Sequence, residues 1–151
     1  MNVSGLEEKL RQKNLKITPQ RLEILRAIQN TPDHPCAEAI YQKVKKRYPA
    51  VSLATVYKTL DTLVEIGEIR VALVTKGKTR YDVRLDRHHH FVCSQCGCVE
   101  DVSMNLNCLD TCFPEKMGHS YQVLRSEVVF HGICPRCQGK SEPVAPACPT
   151  V

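Results

Sequence analysis

Hydrophobic residues recur every three or four positions through the first part of the chain, a spacing typical of amphipathic helices. Four helices are predicted in this way, over residues 4–13, 19–30, 37–47 and 53–66. Thr18 and Ser52 precede two of them as N-caps, and Gly67 ends the last one. The fourth helix has polar side chains opposite its hydrophobic stripe: Thr55, Tyr57, Lys58, Thr59 and Thr62. We therefore expect this helix to bury one face and expose the other.

Beyond Gly67 the hydrophobic runs become short and are typical of strands. Residues 69–74 and 79–83 flank Lys76-Gly77-Lys78, which predicts a β-hairpin with a basic tip. Helices followed by a basic hairpin are typical of a winged helix-turn-helix, whose last helix enters the major groove of DNA. The polar face of the fourth helix could by itself be an ordinary solvated surface, but the hairpin favours contact with DNA.

The second part of the chain is predicted to form a smaller α/β unit. Strand-like segments at 91–92 and 98–102 are followed by a short helix at 107–117 and a long strand at 121–133. A unit of this size buries little core by itself, because most of its residues lie at the surface. We therefore expect both a bound metal and dimerisation to stabilise it.

The predicted fold class is α+β, with three regions. A winged helix-turn-helix domain covers residues 1–84, a small α/β dimerisation domain covers 85–140, and a flexible tail with three prolines covers 141–151. The chain has no long hydrophobic run, and its first residues lack the apolar core of a signal peptide. We therefore expect a cytoplasmic protein with no membrane partner.

The charge distribution favours a polyanionic partner for the first region. Residues 1–86 carry 16 Lys and Arg against 10 Asp and Glu, whereas residues 87–151 carry 5 against 6. Double-stranded DNA is the simplest polyanion that a basic winged helix would bind. A solvated basic surface is the alternative, and charge alone does not exclude it.

Two Cys-x-x-Cys motifs carry the strongest chemical signal. Their four thiolates form the ligand set of a structural zinc site: Cys93, Cys96, Cys134 and Cys137. All four places are taken by cysteine, so the ion would have no open position for water and would serve folding. Two disulfides or a thioredoxin-type redox pair are the alternatives, but the chain shows neither a secretion signal nor the strand-to-helix setting of that pair. The remaining cysteines are expected to be free thiols: Cys36, Cys98, Cys108, Cys112 and Cys148.

Histidine and aspartate side chains suggest a second metal site. His88 and His90 are two residues apart, so they share one face of a strand. With His34, Asp82 and Asp101 they make a nitrogen and oxygen donor set that suits Fe²⁺ or Mn²⁺ better than a thiolate-seeking ion. Spacing does not show that the five converge. It leaves open that each histidine is a surface or hydrogen-bonded side chain.

Seven short motifs are distributed through the chain between about Leu6 and Cys137. They are Ile17-Thr-Pro-Gln-Arg21, His34-Pro35, Ala54-Thr-Val-Tyr57, Arg80-Tyr-Asp82, His88-His-His-Phe-Val-Cys93, Cys96-Gly97 and Cys134-Pro-Arg-Cys137. In combination they resemble the ferric uptake regulator (Fur) family of dimeric, metal-dependent transcriptional repressors. The resemblance implies a homodimer that binds an inverted-repeat operator in double-stranded DNA and is not an enzyme.

The resemblance also implies roles for individual residues. The regulatory metal site, for Fe²⁺ or Mn²⁺, falls on five residues: His34, Asp82, His88, His90 and Asp101. The structural Zn²⁺ falls on the four cysteines of the two motifs. Lys16 matches a basic residue that reaches the minor groove, and Tyr57 and Lys58 match contacts of the recognition helix.

At two positions this chain differs from the iron-sensing members of the family, and both differences bear on the signal that such a repressor would sense. Iron-sensing members usually have Glu where this chain has Asp101, and Asp at this position resembles the peroxide-sensing PerR branch. Iron-sensing members often use a further Glu and His, whose places correspond to Cys108 and Ser126 here. The resemblance therefore implies that peroxide, with bound Fe²⁺, oxidises His34 or His88, and that metal and DNA are then released.

Three other interpretations remain. The protein could be an iron-, manganese- or zinc-responsive repressor of the same family. It could be a non-haem iron enzyme that uses the three histidines and two aspartates, although the basic winged region disfavours this. It could instead be a thiol switch that uses Cys108 and Cys112, which are four apart and so on one helical face. For these two cysteines a role as small buried hydrophobic residues is the simpler interpretation.

Overall fold

The computed structural model describes residues 3–13, 15–31, 34–104 and 126–139. In this part of the chain four helices precede five strands: α1 (Val3–Gln12), α2 (Pro19–Gln29), α3 (Ala37–Lys45), α4 (Leu53–Glu65), β1 (Arg70–Thr75), β2 (Lys78–Asp82), β3 (His89–Cys93), β4 (Val99–Val102) and β5 (Val129–Gly132). This order confirms the predicted α+β class. The helix predicted at 107–117 and the tail at 141–151 lie outside the described residues.

Local sequence signals set the ends of the helices. The side chains of Thr18 and Ser52 each accept a hydrogen bond from the backbone N–H three residues later, at 3.3 and 3.1 Å. Cys36 precedes α3 and makes no such side-chain bond, as expected for a weak cap. Gly67 has a φ of +67°, a conformation that ends α4 at little cost because glycine lacks a Cβ.

The hydrophobic stripes of the helices form one core. Its members include Leu10, Ile24, Ile28, Ile40, Val44, Val56 and Leu60. Tyr81 of β2 packs into the same core, so the hairpin is fixed against the helices. This packing matters for the site below, because the residue after Tyr81 is Asp82.

The polar face of α4 is narrower than predicted. Thr59 and Thr62 are buried, although the sequence pattern placed them on the exposed face. Each hydroxyl donates to the backbone carbonyl four residues earlier, at 2.8 and 2.9 Å, so its polar atom is satisfied inside the helix. The exposed face is therefore limited to Thr55, Tyr57 and Lys58 among the five residues expected there.

The free-thiol prediction for Cys36 is wrong, because Cys36 is disulfide-bonded. Spacing along the chain does not reveal which cysteines meet in space, so this bond could not be anticipated. Cys98 is a free, buried thiol as predicted. Cys108, Cys112 and Cys148 lie outside the described residues.

The hairpin of β1 and β2 is a two-residue turn with antiparallel strands. Lys76 and Gly77 have φ of 48° and 73°, which are the positive values that tight hairpin turns require. Arg70 pairs with Asp82 at the open end, and the register shifts between Val71 and Leu73. The hairpin therefore holds its first and last residues side by side.

The second sheet has the order β4-β3-β5, with β3 antiparallel to β4 and parallel to β5. The strand predicted at 121–133 is shorter than expected in its described part, since residues 126–128 are not in a strand. The N–H of Val128 donates to Nδ1 of the His89 ring at 3.1 Å instead of to a neighbouring strand. No helix among the described residues is long and apolar enough to cross a membrane.

Candidate metal centres and DNA-binding face

The four cysteines of the two Cys-x-x-Cys motifs lie together and are buried. Their sulfur atoms all lie within 4.8 Å of one another, and Cys96 Sγ is 3.8 Å from Cys134 Sγ. Because β3 and β5 are parallel, their carboxyl ends meet at one edge of the sheet, and each strand delivers one motif there. Gly97 turns the chain after the first motif with a φ of +72°.

The cysteine cluster favours thiolate at one position and resists it at another. Burial raises the pKa of Cys93, but backbone N–H groups of Cys134, Cys96 and Gln95 outweigh burial and lower it to about 6. Burial raises the pKa of Cys137 to about 12. Four buried sulfurs at these distances suit Zn²⁺, which accepts four thiolates in a tetrahedral arrangement and compensates their charge.

The five histidines and aspartates predicted as a second site also converge. His88 Nε2 lies 3.1 Å from His90 Nε2 and 3.0 Å from Asp82 Oδ2. Asp101 Oδ1 lies 3.0 Å from His34 Nε2 and 3.4 Å from His88 Nε2. Four of the five are buried, whereas the Asp101 side chain is 34% exposed. We refer to these five residues as the His/Asp cluster.

Strand geometry positions four members of the cluster. Asp82 is the last residue of β2, and His88 directly precedes β3. His90 in β3 lies opposite Asp101 in β4, so the two side chains share one face of the sheet. His88, two residues before His90, lies on the same side, because its Nε2 is 3.1 Å from His90 Nε2.

The loop between α2 and α3 supplies the fifth member, His34. Its φ is +44°, which is uncommon for a residue other than glycine and is maintained by the surrounding structure. The N–H of Tyr81 donates to the carbonyl of Pro35 at 3.1 Å, and this bond ties the loop to β2. His34 is thereby held next to Asp82, with His34 Nε2 3.7 Å from Asp82 Oδ2.

The His/Asp cluster contains buried polar atoms that lack partners. Within the described residues, Nδ1 of His34 and Nδ1 of His90 are buried without a hydrogen bond, and His34 Nε2 lies 3.0 Å from Asp101 Oδ1 without the geometry of a hydrogen bond. Such atoms are costly in a protein interior unless a ligand satisfies them. A donor set of imidazole nitrogens and carboxylate oxygens fits Fe²⁺ or Mn²⁺.

The electrostatics of the cluster favour the forms that bind metal. Burial raises the pKa of Asp82, but the His34 ring and the Arg84 N–H outweigh burial, so this pKa lies below its ordinary value. Burial lowers the pKa of His90, and the neighbouring His34 and His88 lower it further. An anionic carboxylate and a neutral imidazole are the states required of metal ligands.

Sequence reasoning missed one residue at this site, Arg70. Its side chain is buried, Nε donates to Asp82 Oδ2 at 2.8 Å, and Nη2 lies 2.7 Å from His88 Nε2. The hairpin pattern could have pointed to Arg70, because the first residue of β1 lies opposite the last residue of β2, Asp82.

Among the residues predicted to contact DNA, Lys16 precedes α2, Tyr57 and Lys58 lie on α4, and two of the three share a groove. Lys16 and Lys58 line an open groove between the segment before α2 and α4, together with Arg21 and Thr55. Tyr57 does not line this groove. Its hydroxyl donates to Glu38 Oε1 at 3.3 Å.

Comparison with known proteins identifies the class. The sequence profile described as the Ferric uptake regulator family matches residues 12–106. The Ferric uptake regulation protein of Bacillus subtilis is 34% identical over 143 residues, which cover 91% of this chain and 95% of that protein. The Peroxide-responsive repressor PerR of Staphylococcus aureus is 32% identical over 132 residues, covering 87% and 88%.

Similarity to solved structures supports the same class of protein. The Vibrio cholerae ferric uptake regulator superposes with a TM-score of 0.68 at 27% identity, covering 85% of this chain and 98% of that one. The Campylobacter jejuni peroxide stress regulator gives a TM-score of 0.60 at 34% identity, covering 91% and 100%. The fold and the two clusters define a metal-responsive DNA-binding regulator, and the chain belongs to the Ferric uptake regulator family.

Family membership decides between the classes of function considered from sequence. Fur-family proteins are dimeric DNA-binding repressors, so the chain is a transcriptional regulator and the enzyme interpretation is set aside. Fur and PerR relatives are about equally similar to this chain, so similarity does not identify the signal.

Proposed function

We propose that the protein is a homodimeric repressor that binds an inverted-repeat operator when the His/Asp cluster holds Fe²⁺ or Mn²⁺, and that peroxide releases it from DNA. In this proposal residues 1–84 bind DNA, residues 85–140 form the dimer, and the protein acts in the cytoplasm. The supporting observation is the convergence of five ligand-type side chains from both regions on one point.

The two clusters would have different roles. The four buried cysteines would hold Zn²⁺ permanently, because a set of four thiolates leaves no open position and contributes binding free energy to folding. The His/Asp cluster would exchange its ion, because Asp101 is partly exposed and its ligands are nitrogen and oxygen atoms.

Sharing of the His/Asp cluster between the two regions would couple metal to DNA. His34 and Asp82 belong to the first region, whereas His88, His90 and Asp101 belong to the second. All five can share one ion only while the two regions keep the relative arrangement seen here. An arrangement favoured in this way can present both recognition helices of a dimer to two half-sites. A coupling free energy of about 1–3 kcal/mol would give a useful switch.

Peroxide sensing would use a ligand histidine of the cluster. Iron, when bound, supplies the redox chemistry that activates peroxide, whereas Mn²⁺ does not readily donate an electron to it. One peroxide oxygen is transferred to a ring carbon of His34 or His88 in place of its hydrogen, and the other oxygen leaves as water. The oxidised ring is a poorer ligand, so metal affinity falls. The partly exposed Asp101 side chain leaves peroxide an approach to an otherwise buried cluster.

The test compares the Fe²⁺ and Mn²⁺ forms before and after peroxide. We expect peroxide to lower the DNA affinity of the Fe²⁺ form at least about tenfold, which lies within the usual range for such coupling. Mass spectrometry should find one added oxygen on a peptide that contains His34 or His88. The Mn²⁺ form, treated identically, should remain on DNA with unmodified histidines.

Other outcomes would identify the rival functions. One such outcome is that peroxide releases both the Fe²⁺ and the Mn²⁺ forms from DNA while the histidines stay unmodified. If Cys108→Ser or Cys112→Ser abolishes that release, the result would indicate the thiol switch. An Fe²⁺ form that stays on DNA and keeps its histidines intact would indicate an iron-responsive repressor. As a matched variant, Asp101→Glu keeps a carboxylate but lengthens the arm. It should retain metal-dependent DNA binding and lose most of the peroxide response.

A further inference from the structure

Arg70 is a buried cation within the His/Asp cluster. Only 8% of the residue is exposed. Its Nε donates to Asp82 Oδ2 at 2.8 Å, and its Nη2 lies 2.7 Å from His88 Nε2. These are two of the atoms that face the other members of the cluster, since His88 Nε2 is 3.0 Å from Asp82 Oδ2 and 3.1 Å from His90 Nε2.

The hydrogen bonds of His88 determine what its Nε2 can do. Nδ1 lies 2.9 Å from the backbone carbonyl of Asp86, which can only accept, so Nδ1 carries the ring proton. Nε2 of a neutral ring then has one lone pair. Arg70 Nη2 lies 2.7 Å from Nε2 and 3.2 Å from Nδ1 of the same ring, so the guanidinium lies beside both nitrogens and next to any ion that Nε2 would bind.

The positive charge of Arg70 also opposes the binding of a metal ion. A guanidinium stays protonated in proteins, so Arg70 keeps its positive charge. Its distances to Asp82 and His88 place that charge beside the donor atoms of a cation site, where water is largely excluded. Two cations at such a separation repel each other strongly.

We propose that Arg70 is a gating residue that competes with the regulatory metal for His88 and Asp82, and so sets the metal concentration at which the repressor responds. This inference rests on the proposed function of the His/Asp cluster. Arg70 is the first residue of β1, and α4 ends five residues earlier at Glu65. The exchange of Arg70 for metal therefore takes place at the junction between the helix proposed to read DNA and the hairpin beside it.

The test is a calorimetric titration of zinc-loaded protein with Mn²⁺ alone. Arg70→Met keeps the apolar stem and removes both the charge and the donors. We expect the Kd for Mn²⁺ to fall about 10- to 100-fold, the usual worth of a hydrogen bond to a charged group. Arg70→Gln is a second neutral variant, for use if the methionine variant does not fold, and it should also bind Mn²⁺ more tightly.

Whether the neutral variants bind Mn²⁺ more tightly or more weakly distinguishes competition by Arg70 from a role in orienting the ligands. A residue that merely orients Asp82 and His88 would, when removed, weaken Mn²⁺ binding about 10- to 100-fold. Weaker or unchanged binding in the neutral variants would overturn the proposal. Arg84→Met is the matched control, because Arg84 contacts Asp101 at 3.3 Å with a 37% exposed side chain. It should change the Kd by no more than about threefold, as for an exposed ion pair. Equal tightening in both variants would indicate a general charge effect and would also overturn the proposal.

A variant of a proposed metal ligand distinguishes failure of the Arg70 proposal from failure of the proposed metal site. His90→Ala should lose Mn²⁺ binding if the His/Asp cluster holds the metal. If His90→Ala binds Mn²⁺ normally, the proposed function loses its site. If His90→Ala loses Mn²⁺ but the neutral Arg70 variants bind no tighter than the wild type, the site stands and only the gate fails.

Discussion

Lys16, which precedes α2, and Lys58 of α4 are exposed cations that line one groove. Arg21 lines the same groove, and its Nη1 donates to the carbonyl of Lys16 at 2.5 Å, which fixes the segment before α2. A pair of cations beside a helix with exposed Thr and Tyr side chains suits a phosphate backbone flanking base edges.

The first prediction at this scale concerns Lys58. Lys58→Ala should weaken DNA binding and reduce the slope of log affinity against log salt by about one, because one phosphate contact is lost. The measurement is fluorescence anisotropy at several salt concentrations, with a duplex selected by the wild-type protein from a random pool. Lys46→Ala removes an exposed lysine that does not line the groove and should leave the slope unchanged. An unchanged slope in the Lys58 variant would contradict the DNA-binding assignment of this face.

Individual residues also show how much of the site could be predicted from the sequence. The two-residue spacing of His88 and His90 predicted a shared face, and their Nε2 atoms lie 3.1 Å apart. Arg70 could not be predicted as a neighbour of His88, because its position depends on the register of β1 against β2 and on the packing of the hairpin against β3. Thr59 and Thr62 were misplaced because hydrogen bonds inside the helix allow a hydroxyl to be buried.

At the scale of elements, the hairpin rests on the first Cys-x-x-Cys turn. Arg80 Nη2 donates to the carbonyl of Gly97 at 2.7 Å, and Lys76 Nζ donates to the carbonyl of Gln95. The hairpin and the turn could each be predicted from their local sequence. Their contact could not, because it joins side chains to backbone carbonyls about twenty residues away and depends on tertiary packing.

The prediction at this scale tests the cysteine cluster with a matched pair of variants. Cys96→Ser leaves three thiolates, so the protein should lose its zinc and its second sheet should unfold, because structural zinc contributes on the order of 10 kcal/mol to such units. Cys98→Ser alters an equally buried thiol that is not among the four clustered sulfurs, and it should keep one zinc per chain. Metal analysis and thermal unfolding give the answer. Full zinc in the Cys96 variant would contradict the four-cysteine site.

At the scale of the whole molecule, the His/Asp cluster joins the loop between α2 and α3 and the β1–β2 hairpin to the second sheet. The donor types could be predicted from sequence, but their convergence came only from the family resemblance, since the set spans residues from His34 to Asp101. The structure shows how this convergence is built: the Tyr81 N–H bond to Pro35 places His34 beside Asp82, and the pairing of β3 with β4 places His90 opposite Asp101.

The most direct test of the account is DNA binding as a function of Mn²⁺ concentration, measured for zinc-loaded wild-type protein and for His90→Ala. His90 is fully buried in the cluster and belongs to the second sheet, so its removal should leave the proposed DNA-binding face intact. We expect Mn²⁺ to raise the DNA affinity of the wild type about tenfold or more and to leave the variant at the metal-free level. Wild-type binding that does not depend on Mn²⁺, or a variant that responds like the wild type, would contradict it.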